Sequence, residues 1–255
     1  MAEHNRVTTD TSSYSGISVI AINRPDRKNA VDPLTAKALY EAILVFEDDP
    51  KQKVVAQANN DTPGDNLQPI NGRNLGPMGP SRLIIKKPVI CAISGYAVAG
   101  GLELSLLADM RVVEEDAVFG VFCRRWGVPL IDGGTVRLQA IVGLGRALDM
   151  ILTGRPVGAQ EALTMGLASR VVPKGESLKE AIGIARQLIT FPELCLNTDR
   201  QSCYYSAYEA SSFEDAMSQE FNAGSKVISQ EAIAGAAKFS KGSGRHGSFK
   251  DHSKL

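Results

Sequence analysis

Residues 94–113 read SGYAVAGGLELSLLADMRVV, and the order paired glycines, apolar helix, strand within them decides how the rest of the chain is understood. Gly100 and Gly101 follow a strand of buried type and open a helix expected over residues 102–108. The first amides of such a helix have no partner inside it and point outward, and a place of that kind attracts negative charge. Glycine lets a carbonyl approach the backbone closely, so an oxygen gaining charge there would be stabilised as in an oxyanion hole. Glu103 sits in the same first turn of a helix that is otherwise apolar but for Ser105. A carboxylate on a buried helix has a raised pKa, which suits a general acid or base near neutral pH. Acidic residues are also common in a first turn for capping and dipole reasons alone, and paired glycines are common at close helix contacts; the combination is more telling than either part.

Outward from this segment, strands and helices trade places. ISVIAI (Ile17–Ile22) is a β-rich run ended by Asn23, Arg24 and Pro25. Pro33 opens a helical pattern carried by Leu34, Ala38, Leu39, Ala42, Ile43 and Phe46. Strands are expected at residues 54–58 and 89–93, the latter (VICAI) apolar throughout as if covered on both faces. Between them residues 59–81 form a loop crowded with Gly, Pro, Asn and Asp, long enough to suggest a functional role. Strand-like segments at 110–113 and 117–120 follow, then helices at 135–141, 145–152 and 159–165, a strand at 168–172 and a helix at 177–190. Beyond Pro192 the pattern is helical to Phe239. The expectation is an α/β core over residues 1–190, a helical region over 191–239, and a flexible tail over 240–255.

Composition narrows the chemistry. With 255 residues and 44% apolar content the chain can bury one sizeable core without staples. Lys plus Arg equals Asp plus Glu, 28 each, so no global field draws it to nucleic acid or an anionic membrane. Cys91, Cys123, Cys195 and Cys203 are dispersed and form no C-x-x-C pair. All three histidines, His4, His246 and His252, lie in terminal segments, which argues against a Ser-His-Asp triad or an imidazole-held zinc; no metal is expected. The P-loop pattern is absent, and GLGRAL at 143–148 lacks the third glycine of a dinucleotide fingerprint. No stretch is long and apolar enough to span a bilayer, and no secretory leader is expected at the N-terminus. Ser253-Lys254-Leu255 reads as the tripeptide taken by the peroxisomal import receptor, behind a polar, glycine-rich run; a cytoplasmic location is expected instead for a bacterial source.

The 94–113 segment resembles the signature of the crotonase (enoyl-CoA hydratase/isomerase) superfamily. The resemblance continues through DAVFG (116–120), GVPLIDGGTVRL (127–138) and LTGRPVGAQEALTMGLASRVVP (152–173), and INRPDRKNAVD (22–32) is similar to the family's CoA-binding opening. It implies a spiral of ββα turns, a C-terminal helical region that builds trimers or dimers of trimers, and an acyl-CoA thioester substrate with no cofactor beyond the coenzyme A it carries. It implies that Gly100 supplies one oxyanion amide and that Glu103 is the first of two catalytic glutamates. The second amide falls to Asp65 in Gly64-Asp65-Asn66-Leu67, and Arg24, Lys28 and the Ala30 backbone become candidates for the CoA end. The place of the second glutamate is held by Cys123, read as a small core residue in the absence of a histidine to activate it. Asp132 stands where some relatives carry an aspartate and could complete a carboxylate pair, or could be a turn residue before Gly133-Gly134. Trp126 is expected in packing. Three functions follow: enoyl-CoA hydration or isomerisation through Glu103; another crotonase reaction such as thioester hydrolysis, dehalogenation or decarboxylation through Asp132; or acyl-CoA binding without catalysis.

Overall fold

The computed structural model describes residues 6–58 and 67–240. The chain divides into two compact units between Ala185 and Arg186, a few residues before the boundary expected from sequence.

The first unit is built on a six-stranded sheet and a three-stranded one. In the larger sheet β1 (Val7–Asp10) runs antiparallel to β2 (Ile17–Ile22). Asp32 then caps α1 (Pro33–Asp48): its carboxylate accepts from the Thr35 N–H at 2.9 Å and the Thr35 hydroxyl at 2.7 Å, and Pro33 sits where a missing N–H costs nothing. Ala36, Leu39, Ile43 and Phe46 recur at helical spacing and are buried, which fixes the face α1 presents to the core. Next come β3 (Val54–Ala58) and β4 (Val89–Ile93), parallel to β2 and to each other. All five residues of β4 are buried between neighbours on both sides, as its unbroken apolar run anticipated.

From β4 the chain steps into the smaller sheet as β5 (Tyr96–Val98), turns into α2 (Gly100–Ser105), returns to the larger sheet as β6 (Met110–Glu114), and crosses again as β7 (Val118–Gly120). This ββα stepping is the spiral that the resemblance implied. α3 (Gly134–Val142) and α4 (Leu144–Thr153) follow, then β8 (Val157–Gly158), antiparallel to β7, α5 (Ala159–Thr164), β9 (Arg170–Val172) beside β6, and α6 (Ser177–Leu188). β1, β5 and β8 were not expected from sequence, and α2 begins two residues earlier than the apolar pattern indicated.

The second unit holds α7 (Glu193–Tyr208), α8 (Phe213–Val227), a π-helical turn at Ile228–Ala232, and α9 (Ile233–Ser240). The helical run expected beyond Pro192 is broken at residues 209–212, where Ser212 caps α8 by accepting the Asp215 N–H at 3.1 Å. The π turn presents Glu231 to the first turn of α7, whose Leu194 and Cys195 N–H groups it accepts at 3.1 and 2.7 Å. No helix among the described residues is long and apolar enough to cross a membrane.

Candidate active site

Everything in the site is referred to the junction of β5 and α2. Ala99 joins them at φ 51° and ψ −123°, a region that costs a residue with a Cβ of order 1–3 kcal/mol. Its N–H donates to the Gly120 carbonyl at 2.9 Å and its carbonyl accepts the Glu103 N–H at 3.1 Å, so both neighbours hold the turn in place. The Gly100 N–H, beginning α2, has no acceptor among the described residues. A Cβ on Gly100 would lie 2.6 Å from the Met78 sulfur, so glycine permits the close seat of that side chain on the helix start.

Glu103 is 3% exposed. Its Oε1 accepts two backbone N–H groups, from Asp132 and from Gly134, each at 2.9 Å. Oε2 has no hydrogen-bond partner among the described residues, and Glu103 lines a cavity. Burial pushes its pKa up to about 7 against the two amides, which favour the charged form; the Asp132 carboxylate adds a smaller upward push. Gly134 has to be glycine here, because a Cβ would stand 2.9 Å from both Cγ and Oε1 of Glu103.

Asp132 is likewise 3% exposed, and its side chain has a different occupation from its backbone. Oδ1 accepts the Met78 N–H at 3.0 Å and the Ser81 hydroxyl. Oδ2 has no partner among the described residues, and Asp132 lines the same cavity as Glu103. Both readings of Asp132 thus have a counterpart: it is a turn residue tying two loops, and it brings a second carboxylate beside the first. Arg137 supports the arrangement from outside by donating to the Ser81, Asp132 and Leu83 carbonyls at 2.8, 3.3 and 3.2 Å. Gly76 and Gly79 exchange backbone hydrogen bonds at 2.9 Å, closing the turn that carries Met78.

The cavity measures about 1080 Å³. It is lined by Met78, Ala99, Gly100, Glu103 and Asp132, by the apolar side chains of Leu67, Tyr96, Val98, Phe122, Val128 and Ile131, and, among others, by Pro25, Lys28 and Asn29. Gly100, Glu103, Asp132 and Lys28 therefore all line one cavity. Cys123 lines the cavity too and is half-buried, so the expected core residue also faces the ligand space. Trp126 overturns its expectation outright: it is 83% exposed, and it lines the cavity instead of filling the core.

Arg24 and Ala30 are not brought to the cavity. The Arg24 guanidinium donates to the Ala30 carbonyl and pairs with Asp32 at 2.8 Å, and the Ala30 N–H donates to Arg27 at 2.9 Å, so these groups close their own loop. Asp65 and its Gly64-Asp65-Asn66 neighbours lie outside the described residues, as does Ser253-Lys254-Leu255; Leu67, the next described residue, reaches the cavity. Sequence reasoning missed Met78, Ser81, Gly134 and Arg137. Of these only Gly134 carried a local signal, the Gly-Gly pair after Asp132. Among the described residues no group of three or more His, Cys, Asp or Glu could hold a metal ion.

Comparison with known proteins points the same way. Residues 82–241 match the sequence profile of the enoyl-CoA hydratase/isomerase family. Carnitinyl-CoA dehydratase from Salmonella typhi is 34% identical over 198 residues, covering 69% of this chain and 72% of the relative. The crystal structure of enoyl-CoA hydratase from Mycobacterium tuberculosis H37Rv superimposes with a TM-score of 0.83 at 26% identity, over 93% of this chain and 96% of that one. An enoyl-CoA hydratase from Mycobacterium marinum gives 0.84 at 25% identity over the same shares.

Proposed function

The chain belongs to the enoyl-CoA hydratase/isomerase family of the crotonase superfamily, and we propose that it moves a proton at the α-carbon of an acyl-CoA thioester, with Glu103 as the acid/base and the Gly100 amide holding the developing enolate oxygen. The observation that carries this reading is the asymmetry of Glu103. One oxygen is fixed by two amides and the other has no partner among the described residues, on a buried carboxylate with a pKa of about 7 that lines the cavity. Both protonation states are populated near neutral pH, as a group that takes a proton and returns it requires. Asp65 as the second oxyanion amide and Lys28 at the CoA phosphates belong to the same proposal; the position of Leu67 and Lys28 at the cavity supports it. The substrate brings the only coenzyme.

A second reading, another crotonase reaction run on Asp132, is favoured by its Oδ2, which lacks a partner among the described residues while the residue lines the cavity. A panel of 2-enoyl, 3-enoyl and 3-hydroxyacyl-CoA esters assayed with the wild type, Glu103→Gln and Asp132→Asn separates the two. The first reading expects Glu103→Gln to lower kcat by about 10²-fold or more with butyryl-CoA binding retained. Undiminished turnover in that variant refutes it. Binding with no turnover of any ester by the wild type would leave acyl-CoA binding as the function. Trimers or dimers of trimers are part of the proposal, supported by the exposed row Leu144, Leu148 and Leu152 on α4, and sedimentation equilibrium measures them. The peroxisomal setting rests on Ser253-Lys254-Leu255 alone, the relatives named above being bacterial; import of the full chain into peroxisomes, lost on Leu255→Ala, is its test.

A further inference from the structure

Cys123 occupies an unusual station for a cysteine. It is the second residue of a short 3-10 turn (Phe122–Trp126) that follows β7, and its carbonyl accepts the Val128 N–H at 3.2 Å, which pins its backbone. Its side chain is half-buried and lines the same cavity as Glu103. None of the four cysteines is disulfide-bonded, and Cys91 is fully buried with its thiol pushed up to about 12. A second observation also points to a ligand in this space: Glu103, only 3% exposed, lines the cavity and among the described residues its Oε2 has no hydrogen-bond partner. A soft nucleophile and a proton-handling carboxyl thus share one pocket. The reading of the cavity as an acyl thioester site, on which this inference rests, brings an electrophile to them whenever the acyl group is α,β-unsaturated.

We propose that Cys123 is a covalent capture site for α,β-unsaturated acyl thioesters, its sulfur adding to the β-carbon while Glu103 protonates the α-carbon. The thiolate forms the S–Cβ bond. The π pair of the alkene moves to Cα and onto the thioester oxygen, which faces the Gly100 amide. Glu103 gives its proton to Cα, and the proton released by the thiol returns to the carboxylate. One thiol and one alkene become one thioether; nothing leaves, and no oxidant or reductant is needed. Near neutral pH an ordinary thiol is a few per cent thiolate and already strongly nucleophilic, so no histidine is required. Holding it beside the bound alkene supplies the rest through proximity. Capture of this kind would limit the chain's turnover of 2-enoyl esters and make Cys123 the point at which electrophilic esters inhibit it.

The test uses the full chain and crotonyl-CoA, with intact-protein and peptide mass spectrometry after acid quenching. Saturated butyryl-CoA, which has no alkene, reports whether the cavity takes the thioester. The expected result is one crotonyl-CoA adduct per chain on Cys123, formed at least tenfold faster than on the exposed Cys195 and Cys203, which serve as internal references. It is absent from Cys123→Ser, which still binds butyryl-CoA, and at least tenfold slower in Glu103→Gln. Butyryl-CoA binding with no adduct, or with labelling spread evenly over Cys123, Cys195 and Cys203, overturns the covalent site and leaves the acyl-CoA reading standing. Adduct formation at Cys123 undiminished in Glu103→Gln overturns the role given to the carboxyl. Failure of butyryl-CoA to bind the wild type overturns the acyl-CoA reading itself, and this inference falls with it.

Discussion

Glu103→Gln should make the protein more stable above neutral pH while disabling it. Folding raises the Glu103 pKa from 4.5 to about 7, chiefly by burial. The native state therefore holds a proton that the unfolded chain has already released, and stability falls as pH rises across that interval. Below about pH 4.5 the group is protonated in both states and contributes no pH dependence. Above about pH 7 the full penalty is present: roughly 2.5 pKa units at 1.36 kcal/mol each, or about 3 kcal/mol. Glutamine does not titrate, and its amide oxygen can still accept the Asp132 and Gly134 N–H groups that Oε1 accepts at 2.9 Å. Urea unfolding of the two proteins at pH 5, 6, 7 and 8, followed by circular dichroism, isolates the term, since all other titrating groups cancel in the difference. Between pH 5 and pH 8 the stability gap should widen by about 2.5 kcal/mol in favour of the variant, or roughly 5–10 °C in Tm for a unit of this size. Parallel curves, with a gap that does not grow between pH 5 and pH 8, would show that Glu103 is not held in its neutral form by burial, and the acid/base assignment would lose its physical basis.

Gly134→Ala places a methyl group 2.9 Å from Oε1 and Cγ of Glu103; steady-state kinetics should show kcat reduced on the order of 10²-fold, with butyryl-CoA affinity changed only a few-fold. Ala99→Gly removes the Cβ that is strained at φ 51° and ψ −123°, and a rise in urea midpoint equivalent to about 1 kcal/mol is expected, the relief exceeding the entropic cost of glycine. Asp132→Ala leaves the buried Met78 N–H without its acceptor and should cost about 1–3 kcal/mol in the same assay. Asp132→Asn keeps an acceptor but removes a charge that raises the Glu103 pKa, so the acidic limb of the pH–rate profile should move to lower pH.

Legibility in the sequence followed the range of the interactions. β2, β3 and β4 begin and end where the β-rich runs do, and β4, flanked by parallel strands on both sides, is apolar throughout as such a position requires. β5 and β8 have three and two residues and exist only because β7 lies between them, a condition no local pattern records. The start of α2 was set too late because Gly100 and Gly101 weaken a helical pattern that Met78 and the Ala99 turn restore from outside. In the site, Glu103 stood out as one carboxylate in an apolar helix. The partners of its Oε1 are backbone amides some thirty positions away, and backbone amides leave no trace in residue identity. For Arg24 it was the resemblance, not its charge alone, that suggested phosphate, while Asp32 and the Ala30 carbonyl, a few residues on, engage its guanidinium.

The two amides on Oε1 also explain why one carboxyl can serve in both directions. When Glu103 is protonated, Oε1 is the carbonyl oxygen and accepts the Asp132 and Gly134 N–H groups; when it is ionised, Oε1 accepts the same two with more charge. No rotation of the side chain separates the states, so the proton has to enter and leave through Oε2, the oxygen that the two amides leave open. Hydrogen bonds to Oε1 alone would drive the pKa below its ordinary value, and burial alone would raise it; here burial prevails and the value comes to rest near 7. A carboxylate that two fixed dipoles hold still and burial leaves half-protonated needs little reorganisation at the moment of transfer. By the same logic Glu103→Asp should fail as thoroughly as Glu103→Gln, because a side chain one methylene shorter cannot keep Oε1 on both amides and also present its second oxygen to the cavity.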